Sequence, residues 1–554
     1  MRRLLKPMLL SAIAAIAGCG GVSRDEIHAA LAVELADSTP PEYVDAPFWK
    51  VSREIYADAG GDPLWVESGA PKKRARALVE AVAAAEDQGL RTAEYDLEGL
   101  GKALQRAYKD EETTAAELAE LDLRLTALYV DYGRHLLSGR LDPSRVNHGW
   151  FIRTRRAAVD STLREAATAT DLEKALADFL PRQPDYRTLL DARARYAAVA
   201  AQGGFPKVEA TVSPGDTGAV VAAVVKRLVL EGDLDSSAVS RTTYDSTVSA
   251  GVERFRRRFG LEPGKGVDRA LIAAMKVPVD RRIRQIELNL ERLRWLPNEF
   301  GSRYVAVNIP DFQLHAYDEG REVLTMRVIV GDEYDGSTPV FADTMNQVVF
   351  RHYWNVPSSI ALGEILPLVQ QNESYLARNE YEVVPVKGSE PVDPRSVDWN
   401  DLDSTNFPYQ IRQKPGPRNA LGLVKFLFPN RFDIYMHDTP GDHLFQRSRR
   451  ALSHGCIRLE HPDKFAEYVL QGMNEWTPER IDAAMNAEEQ REVALDRPIP
   501  VYILYLTAFA RDGEVHFRPD LYDVDARGME RLGKAPPAEQ IAALRATFDE
   551  LMKG

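Results

Sequence analysis

The sequence predicts a multidomain α+β protein with a helical N-terminal part and a mostly β C-terminal part. Its 554 residues exceed what one hydrophobic core usually organises. Apolar residues recur at helical spacing up to about residue 205, and short β-rich runs between turn residues replace them beyond about residue 300. With 44% hydrophobic and 28% charged residues, the composition is that of a globular protein, not of a disordered or integral membrane protein.

The N-terminus has the pattern of an export signal. Arg2, Arg3 and Lys6 precede an apolar run over residues 8–17 that is too short to span a bilayer, which predicts a signal peptide over residues 1–18. An uncleaved anchor helix is the alternative. The ending Ile16-Ala17-Gly18-Cys19 resembles a bacterial lipobox and implies a periplasmic protein with a lipid anchor at Cys19. Gly at position 20 resembles outer-membrane sorting more than inner-membrane sorting.

Charge and cysteine content narrow the function further. Removing residues 1–18 takes away three positive charges and moves the net charge from -13 to -16, so nucleic acid is not an expected partner. The chain has two cysteines, and lipidation of Cys19 would leave Cys456 without a disulfide partner. An unpaired thiol in an exported protein is at risk of oxidation. We therefore predict a functional thiol at Cys456, with a small buried hydrophobe as the alternative.

Residues 25–205 are predicted to form a helical scaffold domain. Two apolar faces support this, one with Ala75, Leu78, Val79 and Val82, the other with Leu121, Leu125, Leu128 and Tyr132. Glycine and proline predict breaks near residues 60–63, 139–143 and 203–204. Neither a charge cluster nor a motif in this part suggests chemistry.

Residues 210–277 are predicted to form a compact module of three helices. A Gly-Asp-Thr-Gly turn at 215–218, a Tyr before the second helix (Tyr244), a Phe near its end (Phe255) and a turn at 264–266 resemble the peptidoglycan-binding-like module. Its aromatic residues are expected in the core, and glycan binding by this module is a hypothesis. A linker helix over 278–300 follows, with Ile283, Ile286, Leu290 and Leu293 at helical spacing.

Residues 301–530 are predicted to form the mostly β domain. Its strands include residues 304–309, 312–317 and 323–330, and residues 501–510 are expected to pair with 515–517 across the Asp512-Gly513 turn. An irregular stretch at about 355–428 is predicted to be a functional insertion or lid, because loops of that length seldom lack a role. Residues 531–554 are predicted to be a helical tail.

The candidate chemistry lies between residues 432 and 458. Alternation over 432–437 predicts a strand that places His437 on the same face as Asp433 and Tyr435. After a turn the chain returns to Ser453-His454-Gly455-Cys456. A neighbouring imidazole and positive charge favour the thiolate, and a local cluster supplies that charge: Arg447, Arg449, Arg450 and Arg458. Gly455 would let a backbone N–H approach a substrate oxygen.

These residues resemble the signature of the L,D-transpeptidase family with a YkuD-type catalytic domain, a His followed by Ser/Thr-His-Gly-Cys-x-Asn/Arg. The likeness extends through residues 352–357, 364–367, 412–416, 419–422 and 425–430. It implies the large Gram-negative subfamily, in which a helical scaffold, a peptidoglycan-binding-like module and a catalytic domain with an inserted capping subdomain are combined.

The resemblance implies roles by motif position. Cys456 would be the nucleophile, His437 the general base and Asp438 the residue that orients it, although an Asp before Thr-Pro is also a common turn residue. The pocket and oxyanion hole would be formed by Ser453, His454, Gly455 and the Cys456 backbone. Substrate contacts are expected from Arg458, Arg450, Arg449, Tyr435 and Trp354, and solvated surface charge is the alternative for Arg449 and Arg450.

The implied reaction is acyl transfer without a cofactor or metal. The thiolate would attack the L,D-peptide bond of a stem tetrapeptide, release D-alanine and form a thioester. A diaminopimelate amine would resolve it to a 3-3 crosslink, and water would give carboxypeptidase activity. Peptidoglycan stem peptides and glycan are the implied partners, other cell-wall synthesis enzymes are candidates, and acylation by carbapenems is expected.

Three other functions remain open. A zinc site could use His437, Asp438, His443, His454, Cys456 and His461, but the spacing lacks a Cys-x2-Cys or His-x3-His pair. A non-catalytic lipoprotein could tether the outer membrane to peptidoglycan. A generic cysteine peptidase would cleave ordinary all-L peptides.

Overall fold

A computed structural model describes residues 21–44, 46–109, 113–334, 336–388 and 390–533. They fall into two compact units: the first comprises the described residues up to Leu137 with Arg156–Leu180, and the second Ser138–Arg155 with Pro181–Gly533. The predicted signal peptide, Cys19 and residues 534–554 of the predicted tail lie outside the described residues. In the described ranges, no helix has the length and apolarity needed to cross a membrane.

The first unit is helical, as the sequence predicts. The predicted apolar faces are buried, among them Leu78, Val82, Leu121 and Leu125. The helices of this unit are α1 (Arg24–Ala36), α2 (Ala46–Asp58), α3 (Lys73–Ala83), α4 (Leu97–Lys109), α5 (Ala115–Ser138), α7 (Val159–Ala166) and α8 (Leu172–Asp178); α6 (Pro143–Val146) lies in the second unit. Helix α6 begins at the predicted break, where Asp142 caps it by accepting from the Ser144 N–H.

A buried carboxylate organises the core of the first unit. Asp122 of α5 accepts hydrogen bonds from the Tyr56 hydroxyl at 2.5 Å and from the backbone N–H groups of Leu64, Trp65 and Val66 at 3.0, 2.7 and 3.0 Å. The backbone N–H groups of Leu64, Trp65 and Val66, which follow the predicted break at 60–63, therefore have a hydrogen-bond acceptor although they belong to no helix or sheet. Burial raises the pKa of Asp122, against the effect of these hydrogen bonds.

The second unit begins with helices that include the predicted three-helix module. They are α9 (Pro184–Ala201), α10 (Ala219–Glu231), α11 (Ser246–Arg258), α12 (Arg269–Met275) and α13 (Val279–Trp295). Asp245 and Asp268 cap α11 and α12 by accepting from backbone N–H groups. The module's aromatic residues, Tyr244, Phe255 and Phe259, are buried in its core as expected.

Helix α13, predicted as a linker, is a central core helix of the second unit. Its polar residues Asn289 and Arg292 are buried together with its apolar ones. Arg292 pairs with Asp525 at 2.7 Å, and the Asn289 side chain donates to the Thr507 hydroxyl at 3.0 Å. The spacing of apolar residues in the sequence predicts the helix. The burial of its polar residues depends on Thr507 and Asp525, which lie more than 200 residues away in the chain.

The β domain is built on a nine-stranded sheet. Its order is β10-β3-β11-β9-β8-β4-β12-β1-β2, and β2 also pairs with β3, so that the sheet closes on itself. The strands are β1 (Arg303–Asn308), β2 (Gln313–Asp318), β3 (Arg321–Gly331), β4 (Phe341–Phe350), β8 (Val424–Leu427), β9 (Met436–His437), β10 (Ala451–Ser453), β11 (Ile457–Leu459) and β12 (Arg491–Leu504). Helices α17 (Pro462–Val469), α18 (Pro478–Met485) and α19 (Asp525–Leu532) complete this part.

The predicted pairing of residues 501–510 is wrong in part. Residues up to Leu504 belong to β12, which pairs with β1 in parallel and with β4 in antiparallel orientation. A separate strand, β13 (Ala508–Arg511), pairs with β14 (Glu514–Phe517) across the predicted Asp512-Gly513 turn. Both turn residues have positive φ, 52° and 74°, as a two-residue hairpin requires. Apolar residues continue through the gap between β12 and β13, so the sequence pattern does not show that two strands are present.

The predicted insertion is a folded subdomain. Its strands β5 (Trp354–Asn355), β7 (Tyr409–Gln413) and β6 (Tyr381–Pro385) form a separate sheet in that order. Its helical segments are α14 (Ser358–Ile360), a π-helical turn (Ala361–Ile365), α15 (Leu366–Gln371) and α16 (Ser374–Arg378). They enclose an apolar core that includes Val369 and Leu376. We call this the capping subdomain; it ends before β8, slightly earlier than predicted.

Candidate functional site

The register of two neighbouring strands gathers the candidate residues. Strand β11 pairs in parallel with β9, with Arg458 opposite His437. Cys456 directly precedes β11, and Tyr435 directly precedes β9. Alternate residues of a strand share one face, and neighbours across the pair point to the same side. Cys456, Arg458, Tyr435 and His437 therefore share one face of the sheet.

Asp433 precedes strand β9, so the predicted strand alternation does not extend to it. Strand β9 is only two residues long, and Asp433 has a left-handed backbone with φ of 54°. Its backbone carbonyl instead accepts from the Cys456 thiol at 3.7 Å. Asp433 is thus a site residue whose role sequence reasoning missed. Its residue type was the available signal, since Asp tolerates the left-handed region better than most residues.

His437 is held as a neutral base. The imidazole is 2% exposed, and its Nδ1 lies 2.5 Å from the Asp438 backbone carbonyl. A carbonyl only accepts, so Nδ1 carries the proton and Nε2 keeps its lone pair. Burial lowers the pKa of His437 to about 3, and the charge of Arg458 acts in the same direction.

Asp438 contacts the His437 imidazole through its backbone carbonyl, while its carboxylate has other partners. The carboxylate accepts from the backbone N–H groups of Leu423 and Thr439, each at 2.7 Å. These bonds fix the turn that presents the Asp438 carbonyl to the imidazole. Burial raises the pKa of the Asp438 carboxyl to about 6, against these two hydrogen bonds.

Cys456 is a protonated thiol in the resting site. It is partly accessible, yet the surrounding protein is dense enough that burial raises the pKa of Cys456 to about 11. Hydrogen bonds from Tyr435 and the charge of Arg458 lower this pKa but do not overcome burial. The charge of Arg458 favours the thiolate, as expected, but burial outweighs it. At rest the site therefore holds a thiol and a neutral imidazole on one face of the sheet.

The segment before the thiol, residues 453–455, is held by hydrogen bonds and close packing. Gly455 has φ of 114°, and an added Cβ would lie 3.0 Å from the Ile434 Cδ1 atom. Its N–H donates to the Ser453 hydroxyl at 3.2 Å, which itself donates to the Cys456 carbonyl at 2.6 Å. The Thr338 hydroxyl donates to the Gly455 carbonyl at 2.7 Å. The Gly455 N–H is thus engaged, whereas the Cys456 N–H has no acceptor among the described residues.

His454 connects the nucleophile segment to the capping subdomain. Its Nε2 lies 2.6 Å from the Glu364 carboxylate, which belongs to the π-helical turn Ala361–Ile365. Both side chains are about half exposed, 40% and 53%. The sequence around Glu364 does not indicate this contact, because the two residues are 90 positions apart in the chain.

Two of the predicted substrate contacts are buried side chains with protein partners. Trp354 is 9% exposed and lies in the apolar core of the capping subdomain. Arg450 is 7% exposed, and its guanidinium donates to the backbone carbonyls of Val328, Arg447 and Phe312 at 3.2, 2.7 and 3.0 Å.

The other predicted contacts remain near the site or at the surface. Arg458 acts on both Cys456 and His437 through its charge. The Tyr435 ring lies 5.8 Å from the His437 ring. The Arg449 side chain is 56% exposed and 3.8 Å from Asp332.

The side chains named for a zinc site do not form a metal cluster. The His, Cys, Asp and Glu side chains in the described ranges contain no group of three or more arranged to hold a metal ion. His437 and His454 have the separate partners described above, the Asp438 carbonyl and Glu364.

Comparison with known proteins matches two parts of the chain. One family model, described as a scaffold domain, matches residues 50–192, and another, described as the L,D-transpeptidase catalytic domain (YkuD), matches residues 302–481. A Haemophilus influenzae protein named "Putative L,D-transpeptidase" is 34% identical over 241 residues, 44% of this chain and 48% of that protein. The chain thus spans about half the length of the curated relative it matches.

A crystal structure of an L,D-transpeptidase from Xylanimonas cellulosilytica aligns with 54% of this chain and 98% of its own length at 12% identity. Its TM-score of 0.17 is too low for a comparison of folds. The identity therefore rests on the family matches and on the residues they enclose, which include His437 and Cys456. This chain contains a scaffold domain and a YkuD-type L,D-transpeptidase catalytic domain.

Proposed function

We propose that this protein is a peptidoglycan L,D-transpeptidase with Cys456 as its nucleophile. The observation that carries the proposal is the shared face of Cys456, Arg458, Tyr435 and His437 on adjacent strands of the matched catalytic domain. A partly accessible thiol and a neutral imidazole on that face are the two groups that acyl transfer through a thioester needs.

In the first half-reaction, His437 Nε2 takes the thiol proton as the Cys456 sulfur attacks the carbonyl carbon of the L,D-peptide bond. A C–S bond forms, and the Cys456 N–H donates to the developing oxyanion. The C–N bond then breaks, and the proton on His437 passes to the departing amine of D-alanine. The product is a thioester between the stem peptide and Cys456.

In the second half-reaction, the diaminopimelate amine of another stem attacks the thioester. A C–N bond forms, the C–S bond breaks, and the amine proton returns through His437 to the thiol. The product is a 3-3 crosslink. Attack by water would make the enzyme an L,D-carboxypeptidase, the alternative outcome of the same intermediate.

Burial keeps the His437 imidazole neutral in the resting site. Its pKa of about 3 keeps the imidazole unprotonated at neutral pH, so Nε2 is free to accept a proton. The high pKa of Cys456 means that the proton moves during the attack and not before substrate binds.

The test uses purified disaccharide tetrapeptides and mass spectrometry. We expect release of D-alanine, a thioester-sized adduct on the intact protein and 3-3 dimers, and we expect a Cys456→Ala protein to show none of them. A carbapenem should also form an adduct that depends on Cys456. Wild-type protein without any adduct or D-alanine release would defeat the proposal, and a Cys456→Ala protein with full biological activity would revive the tethering function.

We further propose a periplasmic location with a lipid anchor at Cys19, in the outer membrane rather than in the inner membrane. The support is the lipobox-like ending of the apolar run. Incorporation of labelled palmitate into the wild type, and its loss in Cys19→Ala, is the expected result. Equal labelling of both proteins would contradict the anchor.

A further inference from the structure

A cavity of about 450 Å³ lies where the three-helix module meets the β domain within the second unit. Seven arginines and two carboxylates, Glu262 and Asp311, line it. The whole chain has a net charge of -13, so the cavity is opposite in sign to the protein that surrounds it. A concave wall of one charge concentrates its field and attracts counter-ions.

Part of this charge is already neutralised by carboxylates. Asp311 accepts from Arg518 Nε at 2.6 Å and from Arg511 Nη2 at 2.7 Å. Burial would raise the pKa of Asp311, but the two guanidinium charges lower it. Arg327 holds Glu460 through Nε, which lies 3.0 Å from each carboxylate oxygen. The cavity wall thus already binds carboxylates on guanidinium groups.

Two of the other arginines keep uncompensated charge. Among the described residues, the exposed Arg257 and Arg447 make no ion pair, and Arg449 lies 3.8 Å from Asp332. Behind them, burial lowers the pKa of Arg450 to about 10, and the like charge of Arg327 acts in the same direction. An anion in the cavity would relieve this repulsion.

We propose that the cavity binds the carboxylates of wall stem peptides at a site separate from the thiol. This inference rests on the proposed function. Paired guanidinium groups match a planar carboxylate, as Asp311 demonstrates within the same wall. Arg449 also precedes Cys456 by only seven residues, which span about 25 Å at most. A polymer held in the cavity is therefore kept near the nucleophile.

The test measures binding of disaccharide tripeptide, which carries carboxylates but lacks the scissile bond, to full-length Cys456→Ala protein by calorimetry. In that background, Arg257→Ser with Arg447→Ser should weaken binding about tenfold per arginine. Arg269→Ser, an exposed arginine of the same module outside the cavity, is the matched control and should change nothing. Glu262→Gln removes a counter-charge and should tighten binding, which keeps the test decisive if the double variant misfolds.

Two further arms identify the chemistry of the ligand. Amidation of the peptide carboxylates should weaken binding to the same degree as the arginine substitutions. Equal affinity of the double variant and the parent would overturn the site, and competition by inorganic phosphate without any effect of amidation would overturn the carboxylate assignment. Adduct formation on wild-type Cys456 is measured separately, so failure of the proposed function and failure of this site are distinguishable.

Discussion

At the scale of single residues, burial dominates the chemistry of the site. Desolvation disfavours charge on both partners, so it raises the pKa of the Cys456 thiol and lowers that of the His437 imidazole. Both shifts oppose a preformed thiolate and imidazolium pair. The charge of Arg458 favours the thiolate, but its effect on the pKa of Cys456 is smaller than that of burial.

Alkylation of Cys456 by iodoacetamide should therefore rise with pH throughout the range from 5 to beyond 9. The reactive thiolate fraction increases about tenfold per pH unit until the pKa of about 11 is reached. A His437→Ala protein should show nearly the same profile, because the resting imidazole carries no charge. Rates are measured by intact mass, with Cys456→Ala as the blank. A plateau between pH 5 and 8 would contradict the neutral pair.

Gly455→Ala should lose both stability and activity. A side chain at φ of 114° is strained, and its Cβ would press against Ile434 beside the nucleophile. We expect a loss of about 1–3 kcal/mol in unfolding free energy and a large loss of thioester formation. Gly472→Ala is the control, since φ is also positive there, 90°, but no atom lies within 4 Å of the added Cβ. Equal activity of the two variants would show that the crowding is irrelevant.

At the scale of elements, the capping subdomain supplies part of the environment of the site. It has its own sheet and apolar core, against which Tyr435 packs, and its π-helical turn meets the nucleophile segment through Glu364 and His454. The sequence indicates an insertion by its length and composition. It does not indicate a folded core, because the contributing apolar residues are spread over about 70 positions without one period.

Glu364→Gln should loosen the π-helical turn. Removing the carboxylate weakens the contact with His454, so amide exchange at Ala361–Ile365 should become faster, as measured by mass spectrometry. Both side chains are about half exposed, and the change in global stability should stay below about 1 kcal/mol. Glu373→Gln, an exposed residue of the same subdomain, should leave exchange unaltered. Equal amide exchange in both variants would show that the contact between Glu364 and His454 does not stabilise the π-helical turn.

At the scale of the whole molecule, the two units are organised by buried polar groups as well as by apolar cores. In the first unit, Asp122 satisfies three backbone donors and Tyr56. In the second, α13 places Arg292 against Asp525 inside the protein. Such groups join segments that are distant in sequence, and their removal leaves unpaired donors without water to replace them.

Asp122→Ala should destabilise the first unit by about 3 kcal/mol or more, because four buried donors lose their acceptor. Exchange of the Leu64, Trp65 and Val66 amides should increase sharply in hydrogen exchange experiments. Glu165→Ala removes an exposed carboxylate of the same unit and should leave those amides protected. If these three amides stay protected in the Asp122→Ala protein, contacts other than those with Asp122 hold residues 64–66 in place.

The sequence by itself determined the features that depend on neighbouring residues. Helical spacing located α3, α5 and the three-helix module, Asp512-Gly513 located a hairpin turn, and the motif around Cys456 with His437 pointed to the family. Each of these signals lies within a short window, where periodicity and turn chemistry act directly on the backbone.

Only the tertiary structure decided which side chains face the thiol and which are buried. It put Trp354 in a core, bound Arg450 to three carbonyls, and brought the Asp433 carbonyl and Glu364 to the nucleophile segment. Strand register and burial bring together residues that lie far apart in the chain. Because those same contacts determine desolvation, the protonation states of Cys456 and His437 also depend on the fold and not on the motif alone.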